Sequence, residues 1–376
     1  MAVGLPRIYG ITDPVMEAVV FHGLGAVDPG PAIDADWRPS LPWLVSQRLA
    51  GVALAMVKDH GVELPRDMLV HLQAARRHER ARTLLADLSA ARVSTVMRSA
   101  GVPFVVVKGP AMAAVDPVPA ARPYLDVDIV VPPNRFDDAM EAARSAGFES
   151  NTERPARKYY ERHCYEGVNL RDGSQRAIDI HHHVPPWWAG RTLTYEYLAR
   201  DARVGAIAGT DAPLASATSN LFIAALHLVS DHNLPGHKLL SWRDVMLTAS
   251  LIDPVEVASA ADQLGLAWWL HWIVTQMPRT EALDSLIAQL DRTASTSPPR
   301  VGAQRVKALC AAGERGQNLA FAARLPVSNA AAYIAGQVLP SRTSRAARLN
   351  GNESLLAWWK FAAGSFVRPK TTFEGK

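Results

Sequence analysis

Residues Pro103-Phe104-Val105-Val106-Val107-Lys108-Gly109-Pro110 and, a little further on, Arg122-Pro123-Tyr124-Leu125-Asp126-Val127-Asp128-Ile129-Val130-Val131 decide how the chain folds. The first stretch is an apolar run halted by Lys-Gly-Pro, which reads as a buried strand ending in a turn. The second sets two carboxylates two residues apart inside another apolar run. Side chains at i and i+2 of a strand point to the same face, so Asp126 and Asp128 project together while Val127 and Ile129 pack behind them. Adjacent carboxylates repel unless a cation sits between them. Oxygen ligands of this kind suit a hard divalent ion, Mg2+ first and Mn2+ as an option. The same repulsion predicts that Asp128→Asn leaves the metal-free protein as stable as before or slightly more so.

A third acid follows in the strand-like run 176–184, which carries Asp179 with His181 and His183 on one face. Two carboxylates on one strand and one on another are the ligands that in-line phosphoryl transfer uses to hold metal ions. Lys108 and Gly109 at a strand end suit phosphates, because glycine lets backbone N–H groups approach and lysine supplies charge. Arg122, just before the acids, is placed to clamp a triphosphate or to pair with Asp126. Neighbouring strand residues face opposite ways, so His181, His182 and His183 cannot all ligate one zinc ion.

The ordered set Val107-Lys108-Gly109, Arg122, Asp126-Val127-Asp128-Ile129-Val130-Val131 and Ile178-Asp179-Ile180-His181 resembles the DNA polymerase β-like nucleotidyltransferase superfamily. More narrowly it resembles the bacterial branch usually called uncharacterised nucleotidyltransferases, over roughly 95–185 and more loosely over 60–95 and 215–250. Where the wider superfamily follows its glycine with Ser or Gly and a short helix, this chain has Pro110 and a proline-rich segment. Proline removes one N–H donor, which shifts phosphate binding toward Lys108 and Arg122. The resemblance implies a metal-dependent enzyme that moves a nucleoside monophosphate from a nucleoside triphosphate such as ATP to an acceptor and releases pyrophosphate. Asp126, Asp128 and Asp179 would be its catalytic and metal-binding residues, and Lys108, Gly109, Arg122 and His181 would bind the nucleotide. The acceptor stays open among a small molecule, a peptide or protein side chain, and RNA. An RNA-modifying toxin and a non-catalytic nucleotide-binding module on the same fold are the competing readings.

The implied fold is α+β: a small mixed sheet with helices on one face, preceded by N-terminal helices and followed by a helical domain. Residues 1–40 read as an irregular arm with one short helix near 13–22, 41–190 as the nucleotidyltransferase domain with its preceding helices, and 191–376 as a mainly helical domain. Apolar spacing predicts one helix from Pro42 to Lys58 with Val45, Leu49, Val52 and Met56 on its buried face. It predicts a second helix over 65–100, with a stripe of Met68, Leu72, Ala75, Leu84, Leu85, Leu88 and then Val96 or Met97, and with Arg76, Arg77, Arg80 and Arg82 on a solvated face. Asn134 is placed to cap the next helix. Residues 159–170 read as a strand that pairs antiparallel with 176–184 through the Asp172-Gly173 turn.

After about 215 the pattern is helical, broken by a linker at 296–299. His227, Asp231, His232 and His237 form a second polar cluster, read as a hydrogen-bond network. Trp242-Arg243-Asp244 resembles a helical segment of the same family, with Asp244 set to pair with a basic residue of the catalytic part. Trp268, Trp269 and Trp272 read as core.

With 376 residues, 48% of them hydrophobic and 20% charged, the chain can bury a sizeable core. A net charge of +4 permits an anionic substrate without requiring long RNA. The only cysteines are Cys164 and Cys310, which excludes a disulfide framework or a cysteine zinc site. The N-terminus lacks the apolar core of a signal peptide, and the apolar windows near 264–273 and 355–366 are too short to span a bilayer. The expected location is the cytoplasm.

Overall fold

The computed structural model describes residues 7–118, 122–150, 167–173, 177–186, 192–230 and 238–293, together with 306, 331, 345 and 354–360. The expected linker at 296–299, the helices expected over 301–323 and 327–338, and most of the strand expected over 159–170 lie outside these residues.

The short helix expected near 13–22 is present, and a second short helix follows it. Asp13 accepts hydrogen bonds from the Val15 and Met16 N–H groups and so caps α1 (Pro14–Phe21), with Pro14 in the first turn. α2 (Gly30–Ile33) follows, and Val15, Val19, Val20, Phe21 and Trp37 are buried. The helix expected over 42–58 is two helices, α3 (Leu41–Ser46) and α4 (Ala50–His60). Between them Arg48 takes φ 61°, a left-handed conformation that interrupts the helical run. Leu49, Val52 and Met56 are buried as expected, with Leu44 in place of Val45.

α5 (Arg66–Ser99) is one long helix. Its buried stripe runs Met68, Leu72, Glu79, Ala86, Ala90, Val93 and Met97, while Leu84, Leu85 and Leu88 are exposed. The reason is periodicity. Steps of three and four from Leu72 lead to Ala86 and Ala90, and these small residues let the helix lie close against the sheet.

Strand β1 (Val105–Val107) leads into the short α6 (Gly109–Ala113), where Pro110 fits the first turn rather than preventing a helix. β2 (Asp126–Val130) is followed by a 3-10 turn over Pro133–Arg135 and by α7 (Phe136–Ser145). Asn134 lies inside that turn and does not cap α7. β3 (Glu149–Ser150), β4 (Val168–Arg171) and β5 (Ala177–His181) come next, then α8 (Tyr195–Arg200). β6 (Arg203–Ile207) and β7 (Thr210–Leu214) form a hairpin absent from the sequence reading. The chain continues with α9 (Ala217–Ser230), α10 (Leu239–Ala249), α11 (Pro254–Gln263), α12 (Ala267–Val274) and α13 (Glu281–Thr293).

The strands make one seven-stranded mixed sheet in the order β3-β4-β5-β2-β1-β7-β6. β2 runs antiparallel to β1 and parallel to β5, and β4 pairs antiparallel with β5 as expected. Alternation sends Val106, Val127, Ile129, Ile178 and Ile180 to one face, where they pack with Ala90, Val93 and Met97 of α5 and with Phe136, Ala139 and Met140 of α7. The opposite face carries Val105, Val107 and Val130 into a larger core. That core unites α1 and α4 with α9 to α13, so the N-terminal helices and the C-terminal helices share one apolar interior. Trp268, Trp269 and Trp272 are buried in it, packed ring against ring. Among the described residues no helix is long and apolar enough to cross a membrane.

Candidate active site

The acids sit on the sheet face that joins the larger core. β2 and β5 are parallel and in a register that sets Asp128 directly beside Asp179, with Asp126 beside Ala177. Like charges side by side on a sheet repel, so this arrangement needs cations, and the chain supplies several. The Lys108 ammonium donates to Asp128 Oδ1 at 2.7 Å. His181 Nε2 lies 2.9 Å from the same oxygen. Asp128 Oδ2 is left without a protein donor among the described residues. Asp179 accepts a hydrogen bond from the Asn169 side chain, across the β4–β5 ladder.

Asp128, Asp179 and His181 bring one ligand atom each to within 4.8 Å of one another. The donor set, two carboxylate oxygens and an imidazole nitrogen, fits a hard divalent ion, and the nitrogen is more readily accepted by Mn2+ than by Mg2+. Asp126 stands outside that trio, but its carboxylate feels both Asp128 and Asp179. The His182 ring packs against Phe136 and against the His183 ring, with centroids 4.8 Å away in each case.

The two strand acids titrate in opposite directions. Burial and the neighbouring charges of Asp128 and Asp179 push Asp126 up to about 6, against the pull of Lys108 and Arg48. Burial works on Asp128 in the same sense, but the Lys108 charge and the His181 hydrogen bond outweigh it and hold the carboxyl well below its usual range. Burial would lower Lys108, and its contact with Asp128 more than offsets that, so the ammonium stays charged.

The backbone around Lys108 is strained. Lys108 has φ 56° and ψ −119°, a conformation that side-chain-bearing residues rarely adopt. Its N–H donates to Asn220 Oδ1 at 2.9 Å, and the Asn220 amide in turn donates to the Ala215 and Ser216 carbonyls. Asn220 of α9 therefore holds the turn that aims Lys108. Gly109 is required by packing, since a Cβ there would come within 2.7 Å of the Tyr124 side chain. Gly167, just before β4, plays a similar part, since a Cβ there would collide with the His181 ring.

Arg122 is engaged by the helical part. Its Nε and Nη2 donate to the two oxygens of Asp244 at 2.7 and 2.8 Å, a bidentate pair, and Nη1 donates to the Pro123 carbonyl at 2.9 Å. This is the basic partner expected for Asp244. The pair keeps Arg122 charged in spite of burial, and Arg122 also feels Asp126 and Asp128.

Three further polar residues reach the same place without having stood out in the sequence. Arg48, between α3 and α4, is held below its usual pKa by burial first and then by the Arg122 charge, against the pull of Asp126 and Glu79. Lys238 precedes α10 and contacts His227 Nε2 at 2.6 Å, while Ser241 reaches His227 Nδ1. Burial first, then the Lys238 and Lys108 charges, hold His227 well below its usual pKa, so the ring is neutral. Asp231, His232 and His237 lie outside the described residues.

The uncharacterised nucleotidyltransferase family matches residues 34–277, well over half of the chain. Among solved structures the chain is similar to the antibiotic-resistance factor ANT(2'')-Ia, at 19% identity and a TM-score of 0.32, covering 47% of this chain and 90% of that one. It is also similar to an antigenic nucleotidyltransferase-like protein from Paracoccidioides brasiliensis, at 14% identity and a TM-score of 0.33, covering 61% of this chain and 93% of that one. No curated protein matches.

Proposed function

Because the chain belongs to the family of uncharacterised nucleotidyltransferases, we propose that it transfers a nucleoside monophosphate from a nucleoside triphosphate to a hydroxyl or phosphate of an acceptor. The observation that carries this reading is the placement of Asp128 beside Asp179 in register, with His181 and Lys108 at the same carboxylate. In the transfer, an acceptor oxygen forms a bond to the α-phosphorus, the bond from that phosphorus to the bridging oxygen of the β-phosphate breaks, and pyrophosphate leaves. The acceptor proton passes to a carboxylate, a role we assign to Asp179, which the Asn169 amide orients.

Asp126, Asp128 and Asp179, with His181 beside them, are the residues that would hold magnesium or manganese. Such an ion supplies charge neutralisation between the acids and the phosphates. Lys108 is held with its charge toward the acids, and we assign it, with Gly109, to the phosphates. Arg122 adds a fixed positive field from its pair with Asp244. The small net charge favours a compact acceptor over long RNA. A cytoplasmic location belongs to the same proposal.

The test is calorimetric titration with each nucleoside triphosphate, in magnesium and in chelator, alongside measurement of pyrophosphate release in cell extract with labelled triphosphate. Magnesium is expected to raise affinity, because the carboxylates repel phosphates until an ion bridges them. Equal affinity in both buffers overturns the metal assignment, and binding without any labelled acceptor or pyrophosphate overturns the enzymatic one.

A further inference from the structure

One oxygen of Asp128 serves two donors. The Lys108 ammonium lies 2.7 Å from Asp128 Oδ1, and His181 Nε2 lies 2.9 Å from the same atom. Both lone pairs of Oδ1 are thereby engaged. The same carboxylate belongs to the trio Asp128, Asp179 and His181, whose ligand atoms lie within 4.8 Å of one another. Lys108 therefore holds, by charge and by hydrogen bond, an acid that a divalent ion needs.

The fold builds this position. In the sheet Val107 pairs with Asp128 and Asp128 with Asp179, so the three lie in one row across β1, β2 and β5. Lys108 is the first residue beyond β1. Its N–H is held by Asn220 Oδ1 of α9 at 2.9 Å, and Gly109 after it is packed against the Tyr124 side chain. The turn is thus fixed on both sides of the lysine. The side chain is not, because it is a flexible stem and 18% of it is exposed. The ammonium can leave Asp128 while the turn stays in place. Arg122 cannot do the same, since Asp244 grips its guanidinium through both oxygens.

A dication drawn to Asp128 meets a like charge already seated on that carboxylate. Displacing the ammonium with nothing to receive it is costly. A triphosphate changes this, because its oxygens accept from the displaced ammonium and its charge draws the ion to the same place. We infer that Lys108 is a displaceable counter-ion, which competes with the divalent ion for Asp128 and yields the carboxylate when a triphosphate takes up its ammonium. Metal and nucleotide then enter together. This rests on the nucleotidyltransferase reading above and gives a second role to a residue assigned there to the phosphates.

Lys108→Met tests it, because methionine keeps an unbranched side chain and removes the charge. Full-length wild type and Lys108→Met are titrated with Mn2+ alone, the free ion being counted by electron paramagnetic resonance. Each nucleoside triphosphate is then titrated by calorimetry in Mn2+ and in chelator. Lys108→Met is expected to bind Mn2+ alone about tenfold more tightly than wild type. By reciprocity, the gain in triphosphate affinity that Mn2+ brings is expected to be about tenfold smaller in Lys108→Met. Reductive methylation of the wild type, read by peptide mass, needs no variant. Lys108 labelling is expected to rise with saturating Mn2+ and to fall again with manganese tripolyphosphate. Mn2+ binding by Lys108→Met no tighter than by wild type, or Lys108 labelling unmoved by Mn2+, overturns the competition and leaves the nucleotidyltransferase reading standing. A wild type that binds neither Mn2+ nor any nucleoside triphosphate overturns both.

Discussion

Asp128 accepts from Lys108 and His181, whereas Asp126 has burial and two neighbouring carboxylates set against its charge. The consequences for stability have opposite signs. Asp126 titrates in the folded protein at about 6, above its unfolded value, so the metal-free fold loses stability as pH rises from about 4 through that point. Asp128 is depressed, so its contribution is present above the ordinary aspartate pKa and is lost as pH falls. Without metal at pH 8, Asp126→Asn is expected to raise the melting temperature, by an amount corresponding to about 1–2 kcal/mol. Asp128→Asn is expected to lower it by roughly as much or more, because it leaves the buried Lys108 ammonium unpaired.

This reverses the expectation from the sequence, where repulsion alone left Asp128→Asn as stable as before or slightly more so. The repulsion belongs to Asp126, and the ion pair of Asp128 could not be read from a two-residue spacing. Thermal melts of both variants in chelator decide it, and a higher melting temperature for Asp128→Asn refutes the assignment of the ion pair. The placement of Asp126, Asp128, Asp179 and His181 on one face was legible because strand alternation is local and has a period of two. Arg48, Asn220 and Lys238 were not, because each arrives from a distant segment. Asn220 meets Lys108 across 112 positions of sequence, and no local pattern marks either end of that contact.

At the scale of elements, α5 shows how a buried stripe can hide behind more hydrophobic residues. Leu84, Leu85 and Leu88 drew the sequence reading toward the wrong face, while Ala86 and Ala90 make the contact with the sheet. The β6–β7 hairpin escaped notice for a related reason. Its turn, Ala208-Gly209, has both residues at positive φ, but the first is alanine where asparagine is the usual signal, and Gly205 and Pro213 break the strand pattern.

The same α5 stripe contains an acid. Glu79 is buried, its Oε1 has no partner, and it faces the Ala50 and Gly51 N–H groups at the start of α4, which has no side-chain cap of its own. Burial lifts Glu79 to about 7 in spite of those N–H groups and of Arg48 and Arg76. A carboxyl raised in the fold favours the folded state at low pH, and that advantage is lost as pH climbs from the unfolded value toward about 7. Glu79→Gln keeps an acceptor for the α4 N-terminus and removes the titration. Its stability relative to wild type is expected to improve by about 1–3 kcal/mol between pH 5 and pH 8. Denaturant unfolding at the two pH values checks this, and a difference that does not change with pH refutes it.

The molecule as a whole is joined at α10, which is buried along its length. Two consecutive residues of that helix reach the segment between α6 and β2 from opposite ends. Arg243 forms a bidentate pair with Asp116 at 2.7 and 2.8 Å and also donates to the Val20 and His22 carbonyls at 2.8 Å. Asp244 takes Arg122. One helical turn thus connects the N-terminal helices, the strand that carries the acids, and the C-terminal helices. A buried ion pair contributes little beyond what a well-packed apolar pair would, but removing one partner leaves a charge without compensation.

Asp244→Ala is therefore expected to cost about 3–5 kcal/mol, and Arg122→Met with Asp244→Leu to recover most of that. Urea unfolding of wild type, Asp244→Ala and the double variant checks this, because the bidentate contact is the only interaction removed in the first and both of its partners are replaced in the second. A double variant as unstable as Asp244→Ala refutes the account of the pair.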